Sequence, residues 1–284
     1  MENHLKPTLG KVFLGDLSDI QIQRLYNVKF SYGLSAKTIK NIHKVLSEAL
    51  TKAVNKNLIF KNVCQIVEIP KHIKKDIRFF SKSEQEIFLQ SLKDEKFKLL
   101  FELDLASGLR LGEILALRWK DVDIHNRVIH VNQSVIRTRL INNSGSKKTS
   151  LIFSSTKNSY SKRKIPIPSN VFEKILSYKI QQAIKITEEK KLVFVSRNGT
   201  PVDPRTIIRA FHRVIEKAGL EHANFHSLRH NYATRLLEEN IHPKIVQELL
   251  GHSNIQTTLD IYSHVIPDMK AEAVDKLNIL FNKD

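Results

Sequence analysis

The sequence predicts a mainly helical α+β protein in which two helical domains follow one another and a small antiparallel sheet interrupts the second. Three observations predict it. Apolar residues recur at three- and four-residue spacing through most of the chain. The stretch from 122 to 167 instead alternates Val, Ile, Thr and Ser, the pattern of strands. Between the helical regions, Ile69-Pro-Lys-His-Ile-Lys-Lys-Asp76 joins a proline to a charge run without periodicity and reads as a linker. With 284 residues the chain can bury a sizeable core, as one large domain or two modest ones.

In order along the chain, Ile20, Ile22, Leu25 and Val28 suit a short helix from Ser18 to Phe30, capped by Ser18 and followed by a turn at Tyr32-Gly33. Ser35 caps a longer helix, in which Ile39, Ile42, Leu46, Ala49, Leu50 and Ala53 form a core face. Lys37, Lys40, Lys44 and Lys52 lie off that face, the layout of a helix with its own domain on one side and phosphates on the other. The linker sets the predicted domains at 1–75 and 76–284. Ser81-Lys-Ser-Glu84 spells a capping box, and the helical pattern continues through Phe101 to Leu117. Strands are expected in Val122–Val131, Ser134–Ile141 and Leu151–Ile167, with turns at Asn142-Asn-Ser-Gly145 and Lys157-Asn158. Beyond Pro168 helices return. Leu228, Tyr232, Ala233, Leu236 and Leu237 form one stripe; Pro243 opens a helix carrying Ile245, Val246, Leu249 and Leu250, which Gly251 ends. Pro267 opens a last helix over about 267–281, with Met269, Ala273, Leu277, Leu280 and Phe281 as its apolar stripe.

Charge narrows the function. Lys and Arg number 46 against 29 Asp and Glu, a formal +17, which is the footprint of a protein acting on a polyanion, and nucleic acid is the leading partner. No run of eighteen apolar residues exists and no amphipathic segment collects the lysines, so a membrane partner is not expected. The start, Met1 to Pro7, lacks the apolar stretch of a signal peptide, and the single cysteine, Cys64, can form no internal disulfide; both fit a cytosolic protein. The twelve histidines show no zinc-ligand spacing with suitable partners, so neither metal nor cofactor is expected.

The candidate chemistry lies in five short segments: Ala106-Ser-Gly-Leu-Arg110-Leu-Gly-Glu113, Thr156-Lys157, His226-Ser-Leu-Arg229, Leu250-Gly251-His252 and Tyr262. Breaking a phosphodiester without a metal needs a nucleophile, positive donors around the pentavalent transition state, and an acid for the departing 5′ oxygen. Arginine suits the second task because its planar fork binds two phosphate oxygens and stays charged, so Arg110 and Arg229 can do what a metal ion does elsewhere. His226 and Arg229, three apart, project from one helix face toward one phosphate. His230 and Tyr232 read as structural neighbours, one facing elsewhere on the helix and the other on the apolar stripe. Glu113, one turn after Arg110, orients that region rather than reacting.

In this order and with these contexts, including Thr258-Leu-Asp-Ile-Tyr262, the chain resembles the tyrosine recombinases, or phage-type integrases, from about Lys6 to past Tyr262. The resemblance implies a helical core-binding domain followed by a catalytic domain that together close around duplex DNA. It also implies that Tyr262 attacks the scissile phosphate and forms a 3′-phosphotyrosyl intermediate, which the 5′ hydroxyl of another strand resolves without ATP. Lys157 then takes the place of the family's β-hairpin lysine, general acid to the leaving 5′ hydroxyl. His226 becomes general base or proton shuttle, and His252 a donor to a non-bridging oxygen. Implied partners are double-stranded core sites, a homotetramer on two DNA sites with the tail helix packing on a neighbouring protomer, and accessory DNA-bending or excision factors. In the family the first domain starts with a further helix and lambda-type integrases add an arm-binding domain, and the expectation here is a core-binding domain that starts near Leu5-Lys-Pro-Thr-Leu-Gly10 with neither. A second expectation follows from that difference, a truncated integrase that only occupies its core site; a third is a relaxase like the type IB topoisomerases.

Overall fold

Serine caps set the two long helices at the start of the chain. The computed structural model describes residues 3–71, 78–140, 149–155, 162–182 and 191–262, and the chain divides into two compact units, Met1–Asp76 and Ile77–Asp284. In the first unit α1 spans Lys6–Leu9, α2 Asp19–Ser31 and α3 Ala36–Asn55. Ser18 and Gln21 close a reciprocal capping box at the start of α2, and the Ser35 hydroxyl accepts from the Thr38 amide at the start of α3. Ile22, Leu25 and Tyr26 of α2 pack on Ile39, Leu46 and Leu50 of α3, with Cys64 beneath. Ile20 and Val28 face solvent, as does Ala49, so the buried stripe is narrower than the apolar spacing suggests. Lys37, Lys40, Lys44 and Lys52 are all exposed on α3.

The second unit carries α4 (Lys82–Ser91), α5 (Lys98–Ser107), α6 (Leu111–Leu115), β1 (Val122–Asp123), β2 (Val128–Val131), β3 (Gln133–Arg139), β4 (Thr149–Ser155), β5 (Arg163–Pro166), α7 (Ser169–Gln182), α8 (Pro204–Lys217), α9 (Ser227–Glu238), α10 (Pro243–Leu250) and α11 (Gln256–Tyr262). The capping box of Ser81 and Glu84 opens α4, and Arg78 grips the same carboxylate at 2.6 Å. A chain of rings, Phe80, Phe88, Phe101, Phe211 and Phe225, at centroid separations of 5.3–6.1 Å, fills the core between α4, α5 and α8. A smaller core, Ala233, Leu237, Val246, Leu250 and Ile261, joins α9, α10 and α11.

Two expectations are corrected. The strands make two sheets among the described residues, β1-β2-β5 and the separate hairpin β3-β4, all antiparallel. β2 already pairs with β1 and β5 on its two edges, so β3, which follows it directly, cannot pair with it. The chain turns away at Asn132, whose amide donates to Asp121 at 2.9 Å, and at Gln133, whose amide donates to the Ala116 carbonyl at 2.8 Å. The helical pattern through Phe101 to Leu117 also breaks. Gly108 adopts φ +58°, ending α5, and α6 starts anew after Arg110. The left-handed turn suits glycine, and a Cβ there would lie 2.5 Å from the Tyr232 ring and 2.9 Å from Leu250.

The turn at Lys157-Asn158 and the tail helix over 267–281 lie outside the described residues, as does most of the linker. Among the described residues no helix is long and apolar enough to cross a membrane.

Candidate active site

The break at Gly108 decides where Arg110 points. Placed in extended conformation just ahead of α6, Arg110 donates its backbone N–H to the Glu113 carboxylate at 2.9 Å and its guanidinium to the same group at 2.8 Å. Its other terminal nitrogen reaches the Gly251 carbonyl at 3.2 Å. The side chain is 39% exposed, so one flank of this cation is open to a ligand.

Arg229 is 2% exposed on α9. Its two terminal nitrogens donate to the Gly108 carbonyl at 2.7 Å and the Leu250 carbonyl at 2.6 Å, which are the C-terminal ends of α5 and α10. Those ends carry the partial negative charge of their helices, so two dipoles hold the buried guanidinium. Burial, then the neighbouring Arg110 and Arg163, lowers its pKa to about 9, which leaves it charged at neutral pH.

His226 stands at the N-cap of α9 and His230 one turn on; their rings meet edge to face at 4.6 Å. Both pKa values fall to about 4, chiefly because the surrounding protein displaces water, and further because of Arg229. His226 keeps an exposed edge, so it is a neutral imidazole that a ligand can reach. His252 follows the left-handed Gly251 (φ +64°) that ends α10, and its Nδ1 lies 2.9 Å from Thr258 Oγ1 on α11. Burial and then Arg229 and Arg110 lower its pKa to about 3. Position 262 lies four residues after Thr258, on the same face of α11.

The structure therefore brings Arg110, His226, Arg229 and His252 together and places the backbone of Tyr262 one turn beyond the residue that holds His252. Lys157 lies outside the described residues. No group of three or more His, Cys, Asp or Glu side chains suited to a metal occurs among the described residues.

Three members of the site were missed by sequence reasoning. Arg163, on β5, donates through both terminal nitrogens to Glu113 at 3.2 and 2.8 Å and through Nε to the Leu249 carbonyl at 2.6 Å. In the run Lys162-Arg-Lys164 it looks like a solvated charge. Strand alternation was the available signal, since Arg163 shares its face with fully buried Ile165. His230 was read as pointing away because it adjoins Arg229; its four-residue spacing from His226 was the better guide. Asp104, fully buried on α5, gave no signal at all.

Asp104 has no hydrogen-bond partner for either carboxylate oxygen among the described residues. Burial pushes its pKa well above the usual carboxylate range, against the pull of Arg229. A carboxyl raised in the folded state destabilises progressively as pH climbs from its unfolded pKa of about 4 toward the folded value. Asp104→Asn is accordingly expected to remove a penalty on the order of 1–3 kcal/mol and to flatten the fall in melting temperature above about pH 4. Thermal melts of both proteins across pH 4–9 check this; parallel curves would show that the Asp104 carboxyl is not buried uncompensated.

Residues 78–268 match the model of the phage integrase family. A tyrosine recombinase XerC-like protein of Caldanaerobacter subterraneus is 34% identical over 280 residues, covering 93% of this chain and 72% of that protein. Among solved structures, the Tn1549 transposon integrase in complex with transposon right end DNA superposes with a TM-score of 0.79 at 25% identity, covering 95% of this chain and 88% of that one. A lambda integrase tetramer bound to a Holliday junction shares the fold at a TM-score of 0.64 and 22% identity, over 88% of this chain and 68% of that one. On that match and that identity, with arginines and histidines gathered beside the helix that ends in Tyr262, the chain belongs to the phage integrase family, whose members are site-specific tyrosine recombinases.

Proposed function

We propose that this recombinase cleaves and rejoins duplex DNA at the point where Arg110 and Arg229 converge, with Tyr262 as nucleophile. The phenol oxygen bonds to the scissile phosphorus, its proton passing to neutral His226, while the bond to the 5′ oxygen breaks and that oxygen takes a proton from Lys157. The product is a 3′-phosphotyrosine and a free 5′ hydroxyl; attack by another 5′ hydroxyl runs the same steps backward. Arg110, Arg229 and His252 donate to the non-bridging oxygens, where charge builds in the transition state. The depressed pKa of His226 supports its role as base, because the imidazole is unprotonated before the reaction starts.

The observation that carries the reading is the convergence of Arg110, Arg229, His226 and His252 from three separate elements onto the C-terminal end of α10. A role confined to binding is not favoured, since phosphate contact alone needs no buried cation held by two helix ends. The first unit, with its exposed lysines on α3, serves as the core-binding domain. By extension from the lambda integrase tetramer, four protomers act on two sites, with accessory DNA-bending or excision factors setting direction. Lys157 as acid and the tail helix as a contact between protomers are part of the same proposal.

A duplex carrying the end of the parent mobile element, nicked beside the cleavage point so that the short 5′ fragment diffuses away, tests it. Covalent protein–DNA adduct should accumulate without added metal, and should transfer its strand to an offered 5′-hydroxyl end. Adduct without transfer would point to a relaxase, and no adduct with full binding would remove the enzymatic reading.

A further inference from the structure

We infer that Arg163 is a positioning residue of the recombination site: it holds Glu113 and the end of α10 in the arrangement that aims Arg110 at the scissile phosphate. The inference rests on Arg110 being a phosphate ligand, as proposed above.

Glu113 is the hinge of the argument. Its side chain is 3% exposed, yet each of its oxygens accepts two hydrogen bonds, one from Arg110 and one from Arg163, a set of donors that suits the ionised carboxylate. A buried carboxylate stays ionised only with close positive partners. Arg163, itself 5% exposed, supplies a pairing with one nitrogen to each carboxylate oxygen, in the two-point geometry that a guanidinium forms and an ammonium does not. Arg110 faces the same carboxylate directly from its own helix cap, and Arg229 from α9 and Asp104 from α5 act on Glu113 through charge alone. From α8, which packs on α6, the buried residues are the apolar Ile207, Ala210, Phe211, Val214 and Ile215. Burial pushes the Glu113 carboxyl upward, but the hydrogen bonds and charge of Arg163, with those of Arg110, more than offset it and leave the pKa at about 2.

The second grip is on the backbone. Arg163, Arg229 and Arg110 donate to three successive carbonyls, those of Leu249, Leu250 and Gly251. Arg163 has no need to touch DNA to matter, because it fixes both supports of Arg110 at once: the carboxylate on one side and the end of α10 on the other. Losing it removes two of the four donors on the Glu113 carboxylate and favours uptake of a proton, and a protonated Glu113 holds the Arg110 guanidinium more weakly because the pairing is no longer between charges.

The test uses the full chain with Arg163→Met, Arg163→Lys, Glu113→Gln and the double variant Arg163→Met/Glu113→Gln, on the nicked duplex described above. Arg163→Met is expected to bind duplex within about threefold of the parent and to form adduct roughly 100-fold more slowly, the scale of losing one preorganised donor. Its rate should rise with pH between 5.5 and 8.5 more steeply than the parent's, as Glu113 ionises late. Arg163→Lys should recover part of the rate, and the double variant should lose less than the product of the two single losses, because the two residues share the support they give through Glu113. Parent-like rates in Arg163→Met, or losses that multiply in the double variant, would overturn the inference. Should Arg163→Met fail to fold, Arg163→Lys decides, since a positioning role predicts a slower, more pH-sensitive enzyme with unchanged duplex binding. If the parent itself forms no adduct, the catalytic proposal fails. The link between Arg163 and Glu113 is then still decided by acid melts: the parent should lose stability as pH falls from about 4 toward 2, whereas Arg163→Met or Arg163→Lys should be less stable at neutral pH and lose less on acidification, and parent-like acid slopes would break the link.

Discussion

Tyr262→Phe is expected to bind duplex DNA as the parent chain does and to form no covalent adduct at all. The substitution removes one oxygen, and that oxygen is the atom that bonds to phosphorus, so the effect on cleavage is complete rather than graded. Tyr232→Phe is the matched control. Tyr232 also lies near the cations, but its ring packs over Gly108, and burial raises its phenol to about 12 despite Arg163 and Arg229. It should retain adduct formation. Denaturing gels of both variants after incubation with the nicked duplex separate the two tyrosines, and any phosphotyrosyl product from Tyr262→Phe would assign the nucleophile elsewhere.

Arg229→Lys should bring the next largest loss, with adduct formation slower by about 10²–10³-fold, or roughly 2.7–4 kcal/mol. Charge is conserved, so the loss isolates geometry: an ammonium cannot donate in a fixed fork to the carbonyls of Gly108 and Leu250 and still face a phosphate. Two buried helix ends lose well-placed donors, and melting temperature should fall along with rate. Single-turnover cleavage and thermal melts measure both. A variant that cleaves at the parental rate would mean that the buried arginine is purely architectural.

Local signals in the sequence were the ones that proved legible. Ser18, Ser35, Ser81 with Glu84, and Pro243 with Gly251 mark helix ends by bonds that span two to four residues, and the structure has helices ending there. What depended on distant partners was not legible. Gly108 looked compatible with a continuous helix, because nothing nearby in sequence says that Tyr232 and Leu250 occupy the space where a side chain would go. The division of the strands into two sheets follows from β5 claiming an edge of β2 from more than thirty residues away. Within the candidate site, the order of Arg110, His226, Arg229 and His252 could be read from residue types, whereas Arg163 and Asp104 matter through burial and pairing that composition does not encode. The family resemblance contributed the nucleophile and the acid, which the residues alone did not single out.

The three arginines share a feature that bears on how such a site can vary. Their acceptors at Leu249, Leu250 and Gly251 are main-chain oxygens, indifferent to the identity of the side chain at Leu249. The cage is thus written in residue count rather than residue type. Inserting or deleting one residue at the end of α10 turns each carbonyl about 100° around the helix axis and moves it about 1.5 Å along it, handing every arginine the wrong partner. Substitution is tolerated at Leu249 in proportion to its packing, while a change of length there dismantles all three contacts together.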